Sequence, residues 1–343
     1  VQYQHNFEIF AKGTNQQSLQ TYSDRREKML YREIGTTGVK ASCVAFGTWE
    51  LAGNVWGAVS EADAVETIRA ALDGGVSMID TAASYGGGRS EEIVGKALAG
   101  IRDQVVLVTK GGAHFNPQKN CMERDLTPAA LRRDVEDSLR RLQTDYIDLF
   151  FCHYPDPDHP VEETMAGLEE LRKEGKIRMI GLSNYSQEEM AEAVKYGTVD
   201  CAQFRYSMLT RENEELRGFC EKNQIGILSY ASLAGGMLSG IYKTEPQFEE
   251  GDRRTFFYPF LKEPEFSRCR KLVDVVEQTA EANGILAADA AIQWVIAQPG
   301  MTSALVGSKN PERAKRNGQA FDRMLSAEEL AHFDEVYHEI FGG

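Results

Sequence analysis

Short apolar runs alternate with amphipathic helical patterns along most of the chain. The runs fall at 43–47, 76–79, 105–109, 147–152, 177–182, 201–204, 226–230 and 302–306. Several are unbroken, as expected of strands buried on both faces. Between them, apolar residues return at helical spacing. Ser60 opens one such stretch with Asp63 three residues on, an approximate capping box. Ala64, Ile68, Ala71 and Leu72 form its buried stripe, and Gly74-Gly75 stops it. Residues 90–98 read as the next helix. Thr127-Pro128 supplies an N-cap and a first-turn proline, with Leu131, Val135, Leu139 and Leu142 inward. Further helices are predicted at 161–174, from Ser186 with Glu189 at the capping-box position, and at 211–223, 271–283, 287–298, 311–318 and 326–341. Residues 30–41 read as a hairpin around Gly35 and Gly38. Residues 235–266 show no regular pattern.

Eight strands alternating with helices predict an α/β fold: a (β/α)8 TIM barrel with an N-terminal β-hairpin and extra C-terminal helices. An open doubly wound sheet would normally carry G-x-G-x-x-G after its first strand. Here the first strand is followed by Gly47-Thr-Trp-Glu-Leu-Ala-Gly53, which does not match. We expect residues 29–343 to form a single barrel domain. Residues 1–28 are polar and aperiodic; we read them as a flexible extension, with Met29 as the natural start.

Composition narrows the function. The chain has 343 residues, 42% apolar and 26% charged, enough for a sizeable core. Its net charge of −14 argues against nucleic acid, which would want a basic stripe, and against an anionic membrane surface. No apolar run approaches the ~20 residues of a membrane span. The cysteines, Cys43, Cys121, Cys152, Cys201, Cys220 and Cys269, form no C-x-x-C pair and no metal-ligand spacing with histidine. They read as reduced residues of a cytoplasmic protein, with no metal site.

The chemistry gathers around residues 78–92. Asp80 ends the second strand, Tyr85 sits in the glycine-rich loop after it, Lys110 ends the third strand and His153 follows the fourth. In a barrel these ends are neighbours on the face where such folds do chemistry. A buried carboxylate needs a partner, and Lys110 is the candidate for Asp80. A lysine cation beside a tyrosine favours the phenolate and should lower its pKa from about 10. At ~4 Å and an effective dielectric of ~20 the attraction is about 4 kcal/mol before desolvation. The set suits proton donation to an alkoxide forming from a carbonyl, with His153 orienting the carbonyl oxygen. It lacks an electron source, so a hydride-carrying cofactor is implied. Phosphate signals lie opposite: Ser232-Leu-Ala-Gly235-Gly236 after strand seven, and Gly307-Ser-Lys-Asn-Pro-Glu-Arg313 after strand eight.

The chain resembles the aldo-keto reductase superfamily over residues 30–320. The matching stretches are Phe46-Gly-Thr-Trp49, Asp80-Thr-Ala-Ala-Ser-Tyr-Gly-Gly-Gly-Arg-Ser-Glu91, Val108-Thr-Lys110, Leu139-Arg-Arg-Leu-Gln-Thr-Asp-Tyr-Ile-Asp-Leu149 and Gly175-Lys-Ile-Arg-Met-Ile-Gly-Leu-Ser-Asn184. The resemblance implies a catalytic tetrad of Asp80, Tyr85, Lys110 and His153, with Tyr85 the general acid. It implies that Ser183, Asn184 and Gln203 hold the nicotinamide carboxamide and that Tyr230 stacks on its ring. Gly47, Thr48, Trp49, Ser232, Leu233, Gly235 and Gly307 would also meet the cofactor. Ser308, Lys309, Arg313 and Asn317 would grip the adenosine end, the two bases favouring NADPH/NADP+ while NADH remains accommodated. Some branches carry lysine where Gly307 stands, and many carry asparagine after the glutamine at Gln203, where this chain has Phe204. The stretch Gly251-Asp-Arg-Arg254 is most similar to a bacterial branch that includes inositol-catabolism reductases, which implies a keto-sugar or inosose-type substrate.

Trp49, Trp56, His114, Phe115 and the 237–265 loop follow strand ends and are the expected substrate contacts. The expected partner is a small carbonyl compound, and the expected state a monomer or weak homo-oligomer. Two other readings stay open: oxidation of a sugar or cyclitol with NAD(P), and a cofactor-binding interaction protein similar to potassium-channel β-subunits.

Overall fold

A computed structural model describes residues 29–342, except 54–55, 117, 120 and 250–251. The proposed extension at 1–28 lies outside the described residues. Strands β1 (Tyr31–Glu33) and β2 (Lys40–Ser42) form an antiparallel hairpin. Then come β3 (Val44–Gly47), β4 (Met78–Asp80), β5 (Val106–Gly111), β6 (Ala113–Asn116), β7 (Cys121–Arg124), β8 (Ile147–Cys152), β9 (Ile177–Ser183), β10 (Cys201–Arg205), β11 (Gly226–Tyr230) and β12 (Met301–Gly307). Eight of them close a parallel barrel in the order β3-β4-β5-β8-β9-β10-β11-β12, with β12 returning to β3. This is the (β/α)8 architecture.

The helices are α1 (Glu61–Asp73), α2 (Arg89–Leu98), α3 (Pro128–Leu142), α4 (Val161–Lys173), α5 (Gln187–Ala193), α6 (Glu214–Lys222), α7 (Arg254–Phe257), α8 (Glu265–Asn283), α9 (Ala287–Ala297), α10 (Pro311–Asn317) and α11 (Ala327–Phe341). Their starts follow the side-chain chemistry. Ser60 Oγ accepts from the Asp63 amide at 3.1 Å, and Ser186 and Glu189 complete a reciprocal capping box. Thr127 caps α3 ahead of Pro128. No described helix is long and apolar enough to cross a membrane.

The barrel interior explains where the site must be. Strand side chains alternate between faces. The inward residues of the lower layers are apolar: Ala45, Met78, Val108, Leu149, Met179, Cys201, Leu228 and Leu305. Beneath them the β1–β2 hairpin plugs the floor, with Ile34 fully buried in the same cluster. Gly35 turns at φ 54° there, where a Cβ would come within 2.7 Å of the Asp200 carbonyl. Two residues further along six of the strands, and four further after Leu149 and Met179, the positions at the C-terminal mouth become polar or lack a side chain. These are Gly47, Asp80, Lys110, His153, Ser183, Gln203, Tyr230 and Gly307.

Three features differ from the sequence expectation. Residues 113–124 form a second antiparallel hairpin, β6–β7, rising from the end of β5. Its short strands are largely solvent-exposed, so no apolar periodicity marks them. Helix α8 starts at Glu265 rather than 271, because Phe266 and Cys269 extend its buried face. The 235–266 stretch contains a 3-10 segment at Ala234–Ser239, the short α7 and a further turn at Pro259–Leu261.

Candidate active site

One cavity of about 1520 Å³ opens at the C-terminal mouth of the barrel. It is larger than a typical pocket of roughly 300–1,000 Å³ for a single small ligand. It runs from Phe115, His153 and Tyr85 across the barrel to Ser308, Arg313 and Asn317.

The tetrad candidates meet at its floor. Lys110 Nζ donates to Asp80 Oδ1 at 2.6 Å, to the Thr81 carbonyl at 3.0 Å and to the Tyr85 hydroxyl at 3.3 Å. Register produces this meeting: Asp80 pairs with Val108, two residues before Lys110, so both side chains share the inward face. Asp80 is held from the far wall as well, because Gln203 Nε2 donates to its Oδ2 at 2.9 Å. Behind β5, Glu91 accepts from Thr109 Oγ1 and Arg141 Nε, both at 2.6 Å, bracing the strand that carries Lys110. Tyr85 enters from a turn whose next three glycines, Gly86, Gly87 and Gly88, all have positive φ. Side chains other than glycine would strain that turn.

His153 packs edge-on to Tyr85, with ring centroids 5.8 Å apart, and stacks on Tyr154 at 4.8 Å. Its Nδ1 lies 3.3 Å from Ser84 Oγ. Asn184 sits at φ 62°, donates to the His153 carbonyl at 2.9 Å and accepts from the Tyr230 hydroxyl at 2.7 Å. A positive φ in a residue other than glycine marks a local constraint.

The electrostatics differ from the simple expectation for Tyr85. Burial, then the Asp80 carboxylate, push its phenol well above the usual value of 10. The expected lowering by Lys110 is absent, because that cation is neutralised by Asp80 in a desolvated site. Burial pulls Lys110 below its usual value, against the opposing pull of Asp80. Burial, and then the Lys110 charge, hold His153 well below 6.5. The site therefore holds a protonated phenol, a neutral imidazole and a hydrogen-bonded ion pair.

Most of the other predicted residues line the same cavity: Gly47, Trp49, Trp56, Phe115, Ser183, Asn184, Gln203, Tyr230, Ser232, Leu233, Gly235, Gly307, Ser308, Lys309, Arg313 and Asn317. Two do not. Thr48 is turned behind the site, where its hydroxyl donates to the Asp80 carbonyl at 2.9 Å and meets Ser90 Oγ at 2.8 Å. His114 is not a wall residue either; its Nε2 lies 3.0 Å from Asp134 Oδ2 on α3, pinning the β6–β7 hairpin. Both sit where sequence order places them, but a neighbouring polar group captures the side chain.

Phe257 and Tyr258 line the cavity from the expected 237–265 loop, and the structure adds Ser84, Tyr154, Glu50 and Arg205. Arg205 carried a readable signal, since it follows Gln203 by one strand period. Glu50 carried none: its carboxyl, raised by burial, faces the opposing charges of Lys309, Arg254 and Arg313.

Residues 44–338 match the Aldo/keto reductase family. The chain belongs to the aldo-keto reductase family. It is 39% identical to Aldo-keto reductase YhdN of Bacillus subtilis, over 90% of this chain and 93% of that protein. It is 33% identical to the NADH-specific methylglyoxal reductase of Escherichia coli, over 85% and 94%. Among solved structures, the glycerol dehydrogenase AKR11B4 from Gluconobacter oxydans superposes with a TM-score of 0.84 at 33% identity, covering 91% of this chain and 96% of that one. As an aldo-keto reductase the chain is an oxidoreductase of the NAD(P)H-dependent, carbonyl-reducing kind.

The residues present fit such a cofactor. Gly47 leaves open space where a Cβ would stand. Asn317 Nδ2 and Trp56 Nε1 are buried without a hydrogen-bond partner, and both residues line the cavity. Buried donors of this kind ordinarily have partners. The loop after β11 is held in unusual backbone, with Ala231, Ala234, Gly235 and Gly236 all at positive φ.

Proposed function

We propose that this aldo-keto reductase converts an aldehyde or ketone to the alcohol with NADPH, and that Tyr85 donates the proton. The observation that carries the reading is the contact of the buried Lys110 Nζ with both Asp80 and the Tyr85 hydroxyl, the two residues that line the cavity floor above it. A bound nicotinamide supplies the hydride. The phenol, kept protonated by burial, is a donor rather than a base in the resting site. As its proton leaves, the phenolate forms against the Lys110 ammonium, and that charge-assisted hydrogen bond strengthens. Asp80 keeps the ammonium in register. His153, neutral, aligns the carbonyl oxygen beside Tyr85. Ser183, Asn184, Gln203 and Tyr230 hold the nicotinamide end. Ser232, Leu233, Gly235 and Ser308 line the pyrophosphate path.

Lys309, Arg313 and Asn317 hold the adenosine end. The two bases favour a 2′-phosphate and so NADPH, while Glu50 beside them offsets part of that charge and keeps NADH as an alternative. A small oxygenated carbonyl is in keeping with similar proteins named for methylglyoxal and glycerol. Tyr85→Phe tests the assignment: turnover should fall by about 10²–10⁴ while cofactor affinity stays within about twofold. Unchanged turnover would remove Tyr85 from the chemistry.

A further inference from the structure

Arg205 is the last residue of β10, and its side chain faces the lumen one strand period above Gln203, which holds Asp80. The position is therefore about 6.6 Å nearer the mouth, at ~3.3 Å of rise per residue. Its guanidinium lies 5.9 Å from the Tyr230 ring and 5.6 Å from the Tyr258 ring, and Nη1 donates to the Phe257 carbonyl at 3.1 Å. Tyr154, Tyr230 and Tyr258 all feel its charge, and the same three tyrosines are electrostatic neighbours of the Tyr85 hydroxyl. Arg205 and Tyr85 thus share one aromatic-walled chamber.

Among the described residues, no carboxylate forms an ion pair with Arg205, and four of the five acids lining the cavity face other cations. Asp80 is bound to Lys110, Glu277 to Arg270 and Lys243, and Asp289 to Arg316. Glu50 faces Lys309, Arg254 and Arg313. Arg253 lines the same cavity from the segment before α7, its guanidinium 5.0 Å from the Phe256 ring centroid. In a protein of net charge −14, a half-buried guanidinium with no ion-pair partner, bonded to the Phe257 carbonyl and the Tyr230 phenol and with Glu212 as a further electrostatic neighbour of that phenol, keeps donors free as an anion receptor. Its planar fork of donors matches a carboxylate or phosphate oxygen pair.

We propose that Arg205 recognises an anionic group on the substrate, so that the preferred carbonyl compounds are oxo acids, carboxy-aldehydes or phosphorylated aldehydes rather than neutral ones. This rests on the reading of the cavity as a carbonyl-reducing site. The carbonyl lies at Tyr85 and His153, and the anion reaches up the wall to Arg205, with Arg253 adding long-range attraction at the entrance.

The test compares 4-carboxybenzaldehyde, 4-formylphenyl phosphate and the neutral methyl 4-formylbenzoate, with saturating NADPH and again with NADH. Wild type should show kcat/KM for at least one anionic aldehyde about tenfold or more above the ester, carried mainly by KM. Which anion leads tells carboxylate from phosphate. Arg205→Met should collapse that ratio toward one, and Arg205→Lys should restore part of it. A wild-type ratio near or below one for both anions overturns the proposal. So does an anion preference that survives in Arg205→Met, or a loss confined to cofactor affinity. Should Arg205→Met fail to fold by circular dichroism, the wild-type ratio still decides: it should shrink between 20 mM and 500 mM salt, and a salt-independent ratio counts against the proposal. Reduction of none of the three aldehydes with either cofactor would instead defeat the carbonyl-reductase reading, a distinguishable outcome.

Discussion

His153 shows how much of the site is set by burial at a single residue. Its imidazole is held well below 6.5 by desolvation, with the Lys110 cation adding to the effect. Above pH ~6.5 the ring is neutral in both folded and unfolded chains and has no linked effect. As pH falls below that value, the unfolded chain takes up a proton that the folded site refuses. Stability should therefore decline toward the depressed folded-state pKa, by up to about 1.4 kcal/mol per pH unit from this group. His153→Gln should remove that part of the slope. Denaturant midpoints measured from pH 7.5 to 5.0 check it; parallel curves for wild type and variant would show that His153 is not the source. Tyr85 illustrates the same force in the other direction: one phenol, raised rather than lowered, because desolvation outweighs a cation already matched by Asp80.

At the level of the element, the β6–β7 hairpin is the wall that the barrel pattern does not supply. Phe115, Cys121 and Met122 from it line the cavity, yet they are exposed on the hairpin itself. One buried side chain ties the base of the hairpin down: Asp134 on α3 accepts from the Gly112 amide at 2.7 Å and meets His114. Asp134→Ala leaves that amide without its partner, at a cost of about 1–3 kcal/mol. The expected result is faster tryptic cleavage at Lys119 on the hairpin tip, with the rest of the barrel resistant. Cleavage no faster than in wild type would place the anchor elsewhere. Sequence reading missed this element for a physical reason. Both strands are short and mostly exposed, with no alternating buried face, and their base is anchored by a carboxylate on α3, far away in sequence.

Across the whole molecule, the closed barrel and the plugged floor leave one mouth, and the cavity crosses it from Tyr85 to Asn317. A dinucleotide spanning that mouth would contact the loops after several strands, so its binding should stabilise the fold as a unit. At a hundredfold excess over Kd the linkage is about 2.7 kcal/mol, readable as a rise in unfolding temperature. Lys309→Ala should reduce the rise seen with NADP+ more than that seen with NAD+. An equal loss for both would mean that Lys309 does not read the 2′-phosphate.

The alternation of apolar runs and helices determined the eight-stranded barrel by itself, because strand and helix periods are local properties of the chain. The order of strand ends also determined that Asp80, Tyr85, Lys110 and His153 should converge, since adjacent parallel strands bring their C-terminal ends together. Tertiary structure alone decided which side chains turn into the space. Thr48 and His114 are drawn away by Ser90 and Asp134, whereas Glu50 and Arg205 are left facing the cavity. It alone also decided the protonation balance, because desolvation depends on everything packed around a group and not on its neighbours in sequence.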